Sequence, residues 1–176
     1  MKKVVLVLGI VFLCSCTANE DVSNDSEVDS DGYTTTTLSS ALSLKWRVVD
    51  ETTLEAVMIG DPGSEGWIAV GFGTSAMNNS KIIVAQNGTD SSSILDATGN
   101  GHALDSNATT ILDSSEINVS GTTITATFNV SLSDVNIVYG QSTGVIWAYK
   151  SVSQTVQSVS NIGKHQSRGI TSITFE

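Results

Sequence analysis

A methionine and a histidine lie in two polar loops of this chain. Met77 follows the apolar stretch 66–73 and has serine and asparagine neighbours, and His165 lies in a loop between Gly163 and Gly169. A thioether and an imidazole are the two ligand types that hold low-spin haem iron in electron-transfer cytochromes. Each residue also has an ordinary interpretation, because methionine commonly fills a gap in an apolar core and a loop histidine is commonly exposed to solvent.

The stretch before Met77 predicts a central β-strand. Residues 66–73 read Gly-Trp-Ile-Ala-Val-Gly-Phe-Gly and carry no charge. An uninterrupted apolar run of this kind is typical of a strand that is buried on both faces. Gly71 and Gly73 remove side chains where a bulky group could approach the backbone, and they loosen the strand before the polar loop.

The rest of the folded region alternates between apolar and polar residues. The runs 42–48 and 123–132 have an apolar side chain at every second position, which is typical of half-buried antiparallel strands. No run shows sustained helical periodicity. We therefore expect an all-β domain, an immunoglobulin-like antiparallel β-sandwich. Further strands are expected at Thr53–Ile59, Lys81–Ala85, Thr109–Leu112, Gly144–Val152 and Gly169–Phe175, with turn signals such as Asn87-Gly88 and Ser120-Gly121 between them.

The first residues predict export from the cytoplasm. Met1–Lys3 is a short basic region, and Val4–Leu13 is an apolar run that is too short to span a bilayer. The Cys14-Ser15-Cys16 sequence that follows resembles the lipobox of bacterial lipoproteins. This resemblance implies that residues 1–15 are a signal peptide and that Cys16 carries a lipid, which would anchor the domain in the cell envelope, facing the periplasm or the exterior. The alternative is an ordinary secretory peptide that is cut nearby.

The mature chain is acidic. Residues 16–32 contain Asp and Glu among Ser and Asn, and we expect them to form a disordered tether to a sandwich at 33–176. Removing Lys2 and Lys3 with the signal changes the formal net charge from −10 to −12, which argues against nucleic acid as a partner. The cysteines stand at positions 14 and 16 only, so the domain has no disulfide and no Cys-x-x-Cys-His site for covalent haem attachment.

The motifs around Met77 and His165 together resemble the DOMON domain in its cytochrome-like form. The residues concerned are the Trp67-Ile68-Ala69-Val70-Gly71-Phe72-Gly73 strand with Met77 after it, Trp147-Ala148-Tyr149, and the loop His165-Gln166-Ser167-Arg168-Gly169. This branch is similar to the cytochrome domain of cellobiose dehydrogenase. The resemblance spans 42–175 and implies a sandwich that binds haem b without a covalent bond.

The resemblance also implies the roles of individual residues. Met77 and His165 correspond to the axial iron ligands, and Arg168 is a candidate partner for a haem propionate or else a solvated arginine. With both axial positions filled, such a site transfers single electrons to or from a redox partner and is not an enzyme. Further candidates for the apolar walls of the haem site are Trp67, Phe72, Trp147, Tyr149, Ile82 and Val84.

Other assignments compete with this one. His102 is the second histidine, but its Gly-Asn-Gly loop near Asp96 and Asp105 indicates exposure to solvent, and these carboxylates lack the spacing of a calcium loop. Without haem, the sandwich would bind carbohydrate or another small ligand by stacking on Trp67 or Trp147. A third possibility is a domain that only contacts another membrane component.

Overall fold

The computed structural model describes residues 27–176. The predicted signal, Cys16 and the first part of the tether lie outside the described residues. Within them the chain is all β, with one short 3₁₀ helix, and no helix there is long and apolar enough to cross a membrane. The strands are β1 (Glu27–Val28), β2 (Thr34–Ser39), β3 (Leu42–Val49), β4 (Thr53–Gly60), β5 (Gly66–Phe72), β6 (Lys81–Asn87), β7 (Ser92–Asn100), β8 (Ala103–Ser106), β9 (Leu112–Ser120), β10 (Thr123–Ser131), β11 (Ser142–Ser151) and β12 (Ser167–Thr174), and the 3₁₀ helix is Val159–Asn161.

The strands form two six-stranded sheets. The first sheet has the order β1-β2-β3-β4-β10-β9, and the second has the order β12-β11-β5-β6-β7-β8. Neighbouring strands are antiparallel throughout. The predicted antiparallel β-sandwich is thus confirmed.

The alternation in β3 and β10 gives the first sheet its buried face. Leu42, Leu44 and Trp46 are buried in β3, and Ile124 and Phe128 are buried in β10. The residues between them carry the polar side chains, because successive side chains of a strand lie on opposite faces. These apolar residues pack against the second sheet and form the inter-sheet core.

Four strands were not predicted from the sequence, and one begins later than expected. The unpredicted strands are β1, β2, β7 and β8. The short β1 pairs with β2, so residues 27–28 of the expected tether belong to the first sheet. The strand expected at Thr109–Leu112 instead begins at Leu112 as β9. The physical reason lies at Asp96, whose carboxylate accepts hydrogen bonds from Thr110 Oγ1 at 2.8 Å and from the Ile111 amide at 3.2 Å, so these residues form a loop.

The strand β5 is central, as its sequence predicts. All of its residues are buried, and β11 and β6 flank it. Ile68, Val70 and Phe72 belong to the inter-sheet core. Trp67 and Ala69 lie on the opposite face, which we call the outer face of the second sheet. Something other than the first sheet must therefore cover that face.

Candidate functional site

The outer face of the second sheet carries an apolar cluster of its own. Its buried members come from β5 and β6, and partly buried residues from other strands and two loops pack against them. Apolar surface on the outer side of a sandwich sheet is unusual, because that side normally faces water and carries polar residues. We call this set the outer cluster: Trp67, Ala69, Ile82 and Val84, with Met77, Leu104, Ile146, Ala148 and Ile162 packed against them.

Hydrogen bonds hold the loop that delivers Met77. Ser80 is fully buried, and its hydroxyl donates to the Ala76 carbonyl at 2.6 Å. The Thr74 and Ser80 hydroxyls form a hydrogen bond of 2.8 Å, and the Asn79 amide donates to the Gly99 carbonyl at 2.8 Å. The loop is thus attached both to itself and to β7, so Met77 has a defined position.

Glycines of the neighbouring strands let this loop lie on the sheet. A Cβ at Gly99 would overlap the carbonyl oxygen of Met77, and a Cβ at Gly144 would come within 2.8 Å of the Ser75 amide nitrogen. Gly73, where the loop leaves β5, has φ of +96°, a value that favours glycine. The absence of side chains at these positions brings Met77 down to the outer cluster.

A second loop crosses the outer face from the opposite side. This cover segment, residues 152–166, connects β11 to β12. The buried Gln86 side chain holds it, because its amide donates to the Gln157 carbonyl at 2.8 Å and its oxygen accepts from the Gln157 amide at 3.0 Å. Farther along, Ile162 packs against the outer cluster, and the Gln166 amide donates to the Tyr149 carbonyl at 2.9 Å.

His165 lies at the end of the cover segment, between these last two attachments. It is half-buried. Burial lowers the pKa of His165, and the positive charges of Arg168 and Lys164 lower it further. The imidazole is therefore neutral at neutral pH, which is the form that binds a metal ion.

The structure brings the loops of Met77 and His165 to the same face. Met77 packs against the outer cluster from the β5–β6 loop, and Ile162, close to His165, packs against it from the cover segment. Between the two loops the sheet contributes the small residues Ala69 and Ala148. The arrangement is an apolar floor with a thioether on one side and the histidine loop on the other, and the role of either residue as a ligand stays a prediction.

Trp67 and Arg168 also lie on this face. Trp67 is 5% exposed, and its indole Nε1 is buried without a hydrogen-bond partner among the described residues. Arg168 is exposed and lies opposite Ala148 in the register of β11 and β12.

Ile82 and Val84 lie with Met77 in the outer cluster, but three other predicted wall residues lie on the opposite side of the sheet. Phe72 is fully buried in the inter-sheet core. Trp147 and Tyr149 pack against that core from its edge, and their rings stack with centroids 6.4 Å apart and planes 9° apart. The alternation of β11 is the cause, because it places Trp147 and Tyr149 on one face and Ala148 on the other.

Sequence reasoning missed the residues of β11 and the cover segment that face Met77. Ile146, Ala148 and Ile162 were not among the candidates, although they contact the outer cluster. The signal was present in β11, where Ile146, Ala148 and Lys150 alternate with Val145, Trp147 and Tyr149. The sequence prediction named the aromatic residues Trp147 and Tyr149, but it is Ala148 between them that lies on the face with Met77.

The second histidine lies elsewhere. His102 is exposed at the turn between β7 and β8. Asp96, expected in an exposed loop, is instead half-buried in β7 and accepts hydrogen bonds from Asn107 and Thr110. Residues 27–176 contain no group of three or more His, Cys, Asp or Glu side chains that could hold a metal ion.

Comparison with known families agrees with this architecture. The model of the DOMON domain matches residues 38–150, which is more than half of the sequence. The chain belongs to the DOMON domain family. The match covers the Met77 loop of this DOMON chain and ends before His165 and Arg168.

Two solved structures match a larger share of the chain than the family model does. The cytochrome domain of Myriococcum thermophilum cellobiose dehydrogenase is similar with a TM-score of 0.64 at 15% identity, covering 86% of this chain and 88% of that one. The cytochrome b domain of pyranose dehydrogenase from Coprinopsis cinerea gives a TM-score of 0.64 at 15% identity, covering 86% and 87%. At this identity the likeness shows the shared fold. No curated protein matches the sequence significantly.

Proposed function

We propose that this DOMON domain binds haem b non-covalently and passes single electrons to or from a partner protein or a membrane electron carrier. Met77 and His165 are its axial ligands in this proposal. The observation that carries it is that two separate loops, one with Met77 and one with His165, reach the same apolar face of the second sheet. The two similar structures, a cytochrome domain and a cytochrome b domain, support it.

The residues on the outer face fit such a group. Cofactor sites are lined mainly by apolar side chains, and the outer cluster provides an apolar face with small residues at Ala69, Gly71 and Ala148. The unpartnered Trp67 Nε1 is a buried donor, and buried donors normally have an acceptor. Arg168, exposed on the edge strand β12, supplies a cation of the kind that binds carboxylates.

Each side chain has a definable contribution. Haem b, when bound, supplies an iron that changes between the ferrous and ferric states by one electron. The soft thioether of Met77 favours the ferrous state and so raises the reduction potential. His165 binds as a neutral imidazole, a form that its lowered pKa preserves. Because both ligands come from the protein, no position is left for oxygen or a substrate, and we propose no catalysis by this domain.

The carbohydrate alternative, with Trp67 or Trp147 stacking on a sugar ring, requires an accessible indole face. Trp67 is almost completely buried, and Trp147 is stacked on Tyr149 at the edge of the core. The exposed large apolar residues of the described part include no tryptophan. A sugar would therefore find no indole face to stack on, so the observations favour the haem proposal.

The anchoring proposal rests on the sequence alone. We propose that Cys16 is lipidated and that the residues between Cys16 and β1 connect the lipid to the sandwich at the cell envelope. Metabolic labelling with a radioactive fatty acid tests this point, since a Cys16→Ala chain should lose the label. A chain that keeps its label without Cys16 would contradict the anchor.

The haem proposal is tested by absorption spectroscopy. Residues 17–176 are mixed with haem, reduced, and compared with Met77→Leu and His165→Ala variants. We expect a sharp reduced α-band in the parent chain, and we expect each variant to lose it because one axial ligand is missing. Met58→Leu and His102→Ala are matched controls that should keep the band, since Met58 is buried in the inter-sheet core and His102 lies in a distant turn.

Two results would contradict the proposal. A parent chain that stays colourless has no haem site, and a band that survives in the Met77→Leu variant means that another residue binds the iron. Retention of the colourless chain on a polysaccharide gel would support the carbohydrate alternative.

A further inference from the structure

Positive charge is concentrated in the C-terminal part of this acidic chain. Between Asp134 and Glu176 the sequence contains no Asp or Glu, but it contains Lys150, Lys164 and Arg168. Every Asp and Glu of the sequence lies at or before Asp134, except Glu176. Although the whole chain has a formal net charge of −10, one region of it is basic.

These cations are also uncompensated. Among residues 27–176 the ion pairs are Lys45 with Asp29, at 2.7 Å, and Arg47 with Glu55. The ammonium of Lys81 donates to the Thr98 hydroxyl at 3.0 Å. Lys150, Lys164 and Arg168 form no ion pair within that part of the chain, so their charges act on the solvent and on approaching molecules.

The same cations lie at the side of the candidate haem site that is formed by β11, β12 and the end of the cover segment. Lys150 Nζ lies so close to Gly163 that a Cβ there would be 2.8 Å from it. Lys164 is exposed beside His165, and Arg168 is exposed opposite Ala148. We call Lys150, Lys164 and Arg168 the basic rim.

An apolar residue lies within the rim. Ile170 is 61% exposed and faces outward on β12, opposite Ile146 of the outer cluster. Protein interfaces commonly combine an apolar centre with a polar or charged periphery. The basic rim with Ile170 thus has the composition of a docking surface.

We propose that the basic rim and Ile170 form the docking surface for an acidic electron-transfer protein whose redox centre is surrounded by carboxylates. This inference rests on the proposed haem function. Complementary charge would steer the partner to the haem edge and away from the acidic remainder of the molecule.

An anionic membrane is the less favoured occupant. Polybasic segments that bind anionic lipid have about 4–8 cations next to each other, more than this rim provides. The large negative net charge of the chain would also be repelled by a flat anionic surface. A protein partner can be complementary in charge to the basic rim without contacting the acidic remainder of the chain. Exposed charges more than about 8 Å away are largely screened at physiological salt.

Small redox reagents measure the local charge directly. The reduced, haem-loaded chain is oxidised in a stopped-flow instrument by anionic ferricyanide or by cationic tris(phenanthroline)cobalt(III). Between about 0.01 M and about 0.15 M ionic strength we expect the ferricyanide rate to fall roughly ten-fold, while the rate with the cationic reagent does not fall. A ferricyanide rate that rises with salt, as the net charge alone requires, would overturn the inference.

Matched variants locate the effect. Lys150→Gln/Lys164→Gln and Lys45→Gln/Lys81→Gln change the net charge equally, but only the first alters the rim. We expect the first variant to lose the salt-dependent fall and the second to retain it. Equal behaviour of both would overturn the inference. The visible spectrum of each variant is recorded first, so that a loss of haem is not mistaken for an effect of the removed rim charges.

The haem-free chain provides an independent arm. A polyglutamate peptide is added to the ¹⁵N-labelled chain at low salt, and vesicles with and without anionic lipid are tested by sedimentation. We expect peptide-induced amide shifts confined to residues 146–150 and 162–170, abolished in the rim variant. Scattered shifts, or sedimentation with anionic vesicles without any peptide response, would overturn the proposal. This experiment probes the basic rim even if no haem binds. A failure of the docking proposal can therefore be distinguished from a failure of the haem proposal.

Discussion

At the scale of single residues, the protonation state of His165 decides what this side chain can bind. Its burial and its cationic neighbours both disfavour imidazolium, so the pKa lies below the ordinary value. The unfolded chain then binds a proton more readily than the folded chain. His165 accordingly costs stability as the pH falls below about 6.5, and the loss stops growing once the pH is below the folded pKa.

Replacing Arg168 tests the electrostatic part of this shift. In Arg168→Gln the cation with the larger effect on His165 is gone, so we expect the pKa of His165 to rise toward its ordinary value. It should not reach that value, because burial is the larger cause and Lys164 is still present. The measurement is an NMR titration of the imidazole Cε1 proton in the haem-free chain. His165→Asn identifies the signal, and His102 serves as an internal reference. An unchanged or lower pKa would show that Arg168 does not act on His165.

At the scale of elements, Gly99 determines where the Met77 loop can lie. It belongs to β7, yet the carbonyl of Met77 occupies the space next to it. In Gly99→Ala the new Cβ must displace that loop. We expect the chain to fold but to lose the α-band of the haem complex, because Met77 moves away from the outer cluster. The spectrum and the far-ultraviolet circular dichroism measure the two effects.

The control for this substitution is Gly121→Ala in the β9–β10 turn. Gly121 has φ of +62° and open space around a Cβ, so alanine there brings backbone strain without touching the Met77 loop. We expect a loss of stability of about 1 kcal/mol and an unchanged spectrum. If Gly99→Ala keeps its α-band as well, the close contact between β7 and the loop does not position Met77.

The sequence predicts the elements that have strong apolar patterns. The runs that form β3, β5 and β10 and the loops of Met77 and His165 follow from periodicity and turn signals. The strand β2 cannot be predicted in this way, because its successive threonines give no alternation between apolar and polar side chains. The sequence also does not predict on which face of the sheet the Trp147 and Tyr149 side chains lie. That depends on which face of β11 packs against the first sheet, and a register shift of one residue would reverse it.

At the scale of the whole molecule, aromatic rings join the two sheets. Phe175, just after β12, is fully buried and lies edge-on to Trp46 of the first sheet, with centroids 4.8 Å apart, and to Phe72 of the second sheet, at 6.0 Å. Residues 27–176 contain no cysteine, so packing alone holds the sheets together. Since β5 contributes to both the inter-sheet core and the outer cluster, loosening one disturbs the other.

Removing the Phe175 ring should therefore weaken the molecule and the candidate site together. We expect Phe175→Ala to lower the free energy of unfolding by about 3–5 kcal/mol, the range for deleting a buried phenylalanine, and Phe175→Leu to lower it by less. Urea denaturation followed by tryptophan fluorescence and by circular dichroism measures both variants. Coincident transitions by the two probes indicate that the sheets unfold as one unit. Separate transitions, or a Phe175→Ala chain as stable as the parent, would show that the sheets are held together elsewhere, and haem binding would then not depend on this contact.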